Sequence, residues 1–271
     1  MPTTREKRQA FRRLHESGCF VIPNPPDLGT ARYLQHLGFK ALATTSGGFA
    51  FSRGLPDGAV PRDLMLAHIA EIVASTDLPV NADFLNGYGA DAQEVAQSVR
   101  LCVETGVAGV SVEDSTGPRR PQYAIDVAVE RIRAARQAID ESGTDTMLIG
   151  RAENYFGGNR DLAETTERIK AYAAAGADCL YAPGVSTPDE ITAIVEAAAP
   201  KPVNVVVTSP DLTISDLAAL GVRRISIGGM LALAGWAGMA RALAPLTESG
   251  SFAGFSSVRD APNLGALFSQ A

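Results

Sequence analysis

The sequence predicts an α/β protein folded as a closed (β/α)8 barrel, with a helix added ahead of the first strand. Three observations lead there. Short apolar segments alternate with longer helical ones through eight repeats, and no shift of composition marks a linker between them. Alternating units of this kind form a parallel sheet with right-handed crossovers, and eight of them in about 250 residues is the size of a closed barrel. Finally, the residues able to do chemistry fall where apolar segments end, which is where this architecture builds its sites. A doubly wound open sheet is the competing arrangement, but no Gly-x-Gly-x-x-Gly turn follows the first strand. Residues 1–271 therefore read as a single domain.

In chain order, a helix over Thr4–Ser17 should end at Gly18, the residue type that most easily takes the left-handed cap conformation. A first strand, Cys19–Pro23, runs into Asn24-Pro25-Pro26-Asp27, and a short helix over Thr30–Leu37 follows. The second strand, Ala41–Thr44, leads to Thr45-Ser46-Gly47-Gly48 and a loop reaching Asp57. Loops of that length in compact domains often carry function. Pro61 opens the next helix, with Leu64, Ala67, His68 and Ile72 at helical spacing.

From there the beat is regular. A third strand enters at Leu78 and ends in Asn81-Ala82-Asp83, a fourth over Gly109–Val112 ends in Glu113-Asp114, and a fifth over Met147–Ile149 ends at Arg151 and Glu153. Helices are expected over Asp91–Thr105, Ile125–Glu141, Asp161–Ala175, Pro188–Ala198 and Ile214–Leu220, with strands at Cys179–Ala182, Val203–Val207 and Arg224–Ile227. A last helix over Leu231–Thr247 carries Trp236, and the tail beyond it contains Phe252, Phe255 and Phe268. Apolar residues past the closing element must be buried somewhere. Residues 231–271 are therefore expected to pack on a neighbouring subunit of a homo-oligomer.

Composition narrows the function. Hydrophobic residues make up 46% and charged ones 20%, ordinary values for a globular protein, and no apolar run is long enough to cross a bilayer. A net charge of −6 without a dense Lys/Arg run argues against nucleic-acid or anionic-membrane surfaces. Small anions remain possible ligands through local arginines. The N-terminus has basic residues but no apolar segment of a secretory signal, so a cytoplasmic location is expected. Cys19, Cys102 and Cys179 are odd in number and lie in apolar contexts, and read as small buried hydrophobes. His15, His36 and His68 fall within helices, so a histidine-based triad is not supported.

What gathers at the strand ends is acidic. Thr45, Ser46, Gly47 and Gly48 follow strand two with Asp57 in the loop beyond, Asn81 and Asp83 end strand three, Glu113 and Asp114 strand four, Arg151 and Glu153 strand five. Hard oxygen ligands with a Ser/Gly anion nest describe a Mg2+ ion, or Mn2+ in its place, holding an anionic oxygen ligand. Arg151 would grip a carboxylate bidentately and steady an enolate. Asp114 and Glu153 have a blander alternative, as partners of Arg151 or of helix N-termini.

The run from Thr44 to Gly58, the Asn81-Ala-Asp-Phe-Leu-Asn-Gly-Tyr-Gly89 stretch, Val110-Ser-Val-Glu-Asp114 and Gly150-Arg-Ala-Glu153 together resemble the isocitrate lyase/phosphoenolpyruvate mutase superfamily, in its order and spacing from about residue 18 to residue 240. The resemblance implies a barrel whose eighth helix is swapped with a neighbour in a dimer of dimers. It also implies a Mg2+ ion that binds α-keto or α-hydroxy acids, and cleavage or formation of C–C or P–C bonds through an enolate. Carried over by position, Thr45, Ser46, Gly47 and Gly48 would bind the pyruvyl carboxylate, and Arg151 the substrate oxygens. Asp83, Asn81, Asp57 and Glu113 would form the metal shells.

The chain also departs from that pattern. The family stretch usually reads Asp-Ala-Asp-Thr-Gly-Tyr-Gly, so Asn81 replaces an acid and two residues are inserted before Gly87. An amide oxygen brings no negative charge to a metal, and Asp83 is the alternative direct ligand. The loop Ser115–Tyr123 lacks the proton-handling Cys of isocitrate and methylisocitrate lyases, and the mutases' Asn-bearing gating loop is not visible. Pro183 stands where phosphonate-handling members place a histidine. The expectation is a Mg2+-dependent carbon–carbon lyase or decarboxylase of the methylisocitrate lyase/oxaloacetate decarboxylase-like branch, with Arg151 and Glu113 as its catalytic residues. Arg119 and Arg120 would close over a distal carboxylate. A phosphonopyruvate hydrolase or mutase, and a keto-acid-binding barrel with little turnover, are the alternatives.

Overall fold

Every expected strand forms, and the eight lie side by side in parallel. The computed structural model describes residues 2–117 and 121–269. In chain order the elements are α1 (Thr4–Leu14), β1 (Phe20–Ile22), α2 (Leu28–His36), β2 (Leu42–Ala43), α3 (Ser46–Ser52), α4 (Arg62–Ser75), β3 (Val80–Asp83), α5 (Ala92–Glu104), β4 (Gly109–Glu113) and α6 (Ile125–Glu141). They continue with β5 (Met147–Arg151), α7 (Leu162–Ala174), β6 (Cys179–Tyr181), α8 (Pro188–Ala198), β7 (Val203–Val206), α9 (Ile214–Ala219), β8 (Arg224–Ser226), α10 (Met230–Ser249) and, after a 3-10 stretch Ala253–Asp260, α11 (Leu264–Phe268).

The sheet runs β1-β8-β7-β6-β5-β4-β3-β2, and its two ends meet where the Ala43 N–H donates to Pro23 O at 3.0 Å. Asn24 then works as a latch. Its Nδ2 donates to Thr44 O at 3.0 Å while its Oδ1 accepts from the Ile227 N–H at 3.1 Å, so one side chain ties the ends of β2 and β8 across β1. The result is a (β/α)8 barrel.

The helical layer packs on the outside of the strands through a continuous apolar core that includes Val95, Val99, Ile132, Ile139, Ile169 and Ile191. Inside the barrel a second cluster of Ile22, Ala41, Ala43, Ile149 and Val206 closes on Phe11 of α1. Helix α1 thereby plugs the N-terminal end. Arg8 secures it there, donating to Val107 O at 2.9 Å and Val103 O at 2.8 Å, backbone carbonyls at and just beyond the end of α5.

One expected loop is a helix. Residues after strand two form α3, because Thr45 Oγ1 accepts from the Gly48 N–H at 3.1 Å as an N-cap and Phe49 stacks on His68 with ring centroids 3.7 Å apart. At the other end, α10 leaves Met230, Leu233, Trp236, Met239 and Leu243 exposed and buries only Ala232.

Cys102 and Cys179 are buried and Cys19 half-buried, all as free thiols, matching the reading of them as small hydrophobes. His15 is also buried, and burial together with nearby Arg224 pushes it down to about 3, while burial pushes His68 down to about 4. Both act as neutral packing residues.

Candidate active site at the barrel mouth

Strand alternation decides what enters the barrel. On β3 the inward residues are Asn81 and Asp83, on β4 Ser111 and Glu113, on β5 Arg151, on β8 Arg224 and Ser226, and all of them line one cavity of about 730 Å3 at the C-terminal ends of the strands. Thr45, Ser46, Gly47, Asp57 and Glu153 line it as well. The candidate residues therefore converge on one mouth, except Gly48, which lies behind it between Thr45 and Ala232 with its N–H already bonded.

Arg151 is the hub. Its Nη1 lies 2.6 Å from Asp83 Oδ1, its Nη2 3.1 Å from Glu113 Oε2 and 2.8 Å from Glu153 Oε1, and its Nε donates to Glu153 at 2.9 Å. The guanidinium also sits over the Tyr181 ring, 5.0 Å from its centroid. Burial works against the charged form, but Glu153, Glu113 and Asp83 outweigh it and hold the proton more firmly than in a free arginine. A guanidinium has five N–H donors; hydrogen bonds occupy Nε and one N–H of Nη1, and Nη2 lies in ion-pair contact with Glu113 and Glu153, which leaves the second Nη1 N–H for a ligand.

The carboxylates outnumber that cation. Glu113 is 4% exposed, and burial raises its pKa well above the ordinary carboxylate value despite the opposing pull of Arg151. Glu153 is pushed up to about 7 by the same cause. Asp57 lies on an exposed stretch, yet its carboxylate turns inward against Gly47, and burial together with the Asp83 charge raises it too. Asp83 itself is fixed from the second strand's side, its Oδ2 accepting from the Ser46 N–H at 2.8 Å and its own N–H donating to Thr44 Oγ1 at 2.9 Å. The same Ser46 also hydrogen-bonds Asp57 through its side chain.

Asn81 sits two residues before Asp83 on the same inward face, one pleat deeper. Its Nδ2 donates to Ala82 O at 3.1 Å and Ser111 Oγ at 3.2 Å, and its Oδ1 is buried without a hydrogen-bond partner. The turn that follows holds two non-glycine residues at positive φ. Leu85 and Tyr88 both take left-handed conformations, φ 47 and 52, and the Leu85 carbonyl accepts the Glu113 N–H at 2.9 Å.

Asp114 pairs with Arg168 and Tyr172, not with Arg151 or a helix N-terminus. Its Oδ1 accepts from the Glu153 N–H at 2.8 Å, and its Oδ2 from Tyr172 at 2.5 Å and Arg168 at 3.1 Å, so it braces the β5 loop from behind the site. Around the next loop, Gln122 Nε2 donates to Glu153 O at 3.2 Å and the Tyr123 N–H to Asp114 O at 2.8 Å. Arg119 and Arg120 lie outside the described residues.

As a metal site, the mouth is not a ready-made cage: among the described residues no three His, Cys, Asp or Glu side chains converge at ligating distance. Mg2+ does not need one, since it is commonly held by one or two carboxylates together with waters and substrate oxygens. Asp57 and Asp83 supply such a pair, and the uncompensated negative charge that raises Asp57 is what a divalent cation would offset. The residues fit the ion.

A parallel barrel whose mouth gathers carboxylates around one guanidinium defines a protein that handles small charged molecules at its strand ends. The profile of the phosphoenolpyruvate phosphomutase family matches residues 11–247. A structure from Burkholderia cenocepacia J2315, assigned to a lyase/mutase class, superposes with TM-score 0.92 at 46% identity, covering 98% of this chain and 96% of that one. Oxaloacetate decarboxylase of Paraburkholderia xenovorans is 29% identical over 83% of this chain and 75% of its own length. A phosphonopyruvate hydrolase solved with oxalate and Mg2+ gives TM-score 0.84 at 25% identity, with 97% and 95% coverage. The chain belongs to the phosphoenolpyruvate mutase family, within the isocitrate lyase/phosphoenolpyruvate mutase superfamily of lyases and mutases that act on small keto acids.

Proposed function

We propose that this protein is a Mg2+-dependent carbon–carbon lyase or decarboxylase of small α-keto or α-hydroxy diacids, working through the enolate of pyruvate or a homologue. The observation that carries the reading is the gathering of Asp57, Asp83, Glu113 and Glu153 around Arg151 in one cavity. Asp57 and Asp83 would hold the Mg2+, which when bound polarises the substrate's 2-oxygen as a Lewis acid.

The chain's own groups would do the rest. The spare N–H of Arg151 binds the C1 carboxylate or the 2-oxygen, and its charge stabilises the negative charge that develops there. In a decarboxylation the C3–C4 bond breaks, its electron pair moves onto the C2 oxygen as an enolate, and CO2 leaves; no base is needed to start it. Glu113, whose burial favours the protonated form, then delivers its proton to C3. In a retro-aldol cleavage the same carboxyl, ionised, takes the hydroxyl proton first. Neither route needs a loop cysteine, in keeping with the residues between Ser115 and Tyr123.

The exposed apolar face of α10 supports an oligomer in which this helix packs on a neighbouring subunit. The test of the activity is coupled detection of pyruvate or glyoxylate released from oxaloacetate, alkylmalates, methylisocitrate and phosphonopyruvate, with and without EDTA. Release from a C–C substrate that EDTA abolishes is the expected result. Turnover of phosphonopyruvate alone would move the reaction to the P–C bond, and consumption of none would leave a binding protein.

A further inference from the structure

Across the cavity from the acid cluster lies a buried charge that nothing answers. Arg224 opens β8 on its inward face and is 3% exposed, and among the described residues no carboxylate comes within ion-pair distance of it. Its Nε donates to Asn204 Oδ1 at 2.8 Å, Asn204 Nδ2 donates to Ser226 Oγ at 3.0 Å, and its Nη1 is buried without a hydrogen-bond partner. The register runs Arg151 to Tyr181, Tyr181 to Asn204 and Asn204 to Arg224, so the two arginines stand three strands apart around the barrel and line the same cavity.

Other buried arginines of the chain have more partners, although Arg131 Nε is also buried without one. Arg8 and Arg131 donate to backbone carbonyls, and Arg168 pairs with Asp114 and Glu164. A guanidinium taken out of water without an anion is strongly unfavourable, and a neutral side chain would pack there at lower cost. Burial, with the Arg151 charge adding to it, lowers the proton affinity of Arg224. Asn204 and Ser226 orient the fork without neutralising it, which leaves the site selective for an anion that arrives from the cavity.

We propose that Arg224, with Asn204 and Ser226, forms a second anion subsite at the floor of this cavity, which takes the distal carboxylate of a diacid whose α-oxygens are held at Arg151. This rests on the α-keto acid reading of the mouth and adds the residue that selects diacids over monoacids. A monoacid such as pyruvate leaves Arg224 unpaired, whereas a diacid pairs it.

The test is isothermal titration calorimetry with Mg2+ present, using L-malate and 2-oxoglutarate against lactate and 2-oxobutyrate, on the wild-type protein, Arg224→Met and Asn204→Asp. The wild type should bind the diacids at least about tenfold more tightly than the matched monoacids, tenfold being worth 1.4 kcal/mol. Both variants should bring that ratio close to one without weakening the monoacids, the first by removing the cation and the second by giving it an internal carboxylate. Arg224→Met should also melt no lower than the wild type in the absence of ligand, an outcome a purely structural arginine would not give. Monoacids bound as tightly as diacids by the wild type would overturn the subsite and leave the mouth intact, as would a diacid preference that survives either variant. Stabilisation by chloride that Arg224→Met abolishes, without diacid preference, would assign the site to a small inorganic anion and overturn the proposal. If no acid binds, the reading of the mouth fails as well.

Discussion

The β3–β5 wall and the β7–β8 wall of the same cavity solve opposite charge problems. On the first, Asp83, Glu113 and Glu153 crowd one arginine, so the wall carries surplus negative charge, and burial raises the pKa of Glu113 and Glu153. On the second, Arg224 hydrogen-bonds the neutral Asn204 and has no carboxylate at ion-pair distance among the described residues. Each wall is incomplete alone. A divalent cation would complete one and an anionic group the other, and an α-keto diacid bound to Mg2+ brings both.

The largest effect should come from breaking the acidic wall at its hub. Arg151→Ala would leave buried carboxylates without their counter-charge, and removing one partner of a buried pair costs about 3–5 kcal/mol. Urea unfolding should register that loss. Arg151→Lys keeps a charge but not the planar fork, and its kcat/KM should fall by about 10²–10³, the scale of losing a transition-state donor. A Lys variant with wild-type turnover would remove Arg151 from the reaction.

Glu113→Gln should be next, lowering kcat by about 10²–10⁴ through loss of the proton carrier. Because burial favours the neutral form of the wild-type group, the substitution should lower the melting temperature far less than Arg151→Ala does. A variant that loses stability but keeps its rate would make Glu113 structural. Asp57→Asn is a smaller perturbation, expected to raise the Mg2+ concentration for half-maximal activity by about tenfold, or 1.4 kcal/mol of lost metal binding. Titration of activity against Mg2+ measures it, and an unchanged requirement would take Asp57 out of the metal site.

The smallest effect is a pH slope. Glu153 is raised to about 7 when folded, so the folded protein holds this proton where the unfolded chain has released it. Its contribution to stability is complete below the ordinary Glu pKa and is lost as pH rises through about 7. Glu153→Gln should flatten the decline in melting temperature over that window. An identical slope in both proteins would contradict the assignment.

How much of this was legible follows from what each residue's signal depends on. Asp83, Glu113 and Arg151 could be found because each closes an apolar segment, and parallel barrels put chemistry at that end. Helix α3 was hidden because Gly47-Gly48 carries the local signature of a turn, and its cap and the Phe49–His68 stack need the folded neighbourhood to be seen. Arg224 was missed for a different reason. It opens a strand instead of ending one, beside Arg223, and looks like part of a surface basic pair. Only its alternation with buried Ile225 and its phase with Ser226 point it inward, and that parity is readable only once the register is known. The triple engagement of Arg151 was likewise invisible, since Glu113 and Asp83 reach it from different strands.

The most direct measurement is calorimetric titration with oxalate, a stable mimic of the two oxygens of a pyruvate enolate, in the presence of Mg2+ and again with EDTA. The account predicts binding with Mg2+, loss of most of it with EDTA, and loss in Asp83→Asn under both conditions. Equal binding with and without the metal, or an Asp83→Asn variant that binds like the wild type, would contradict it.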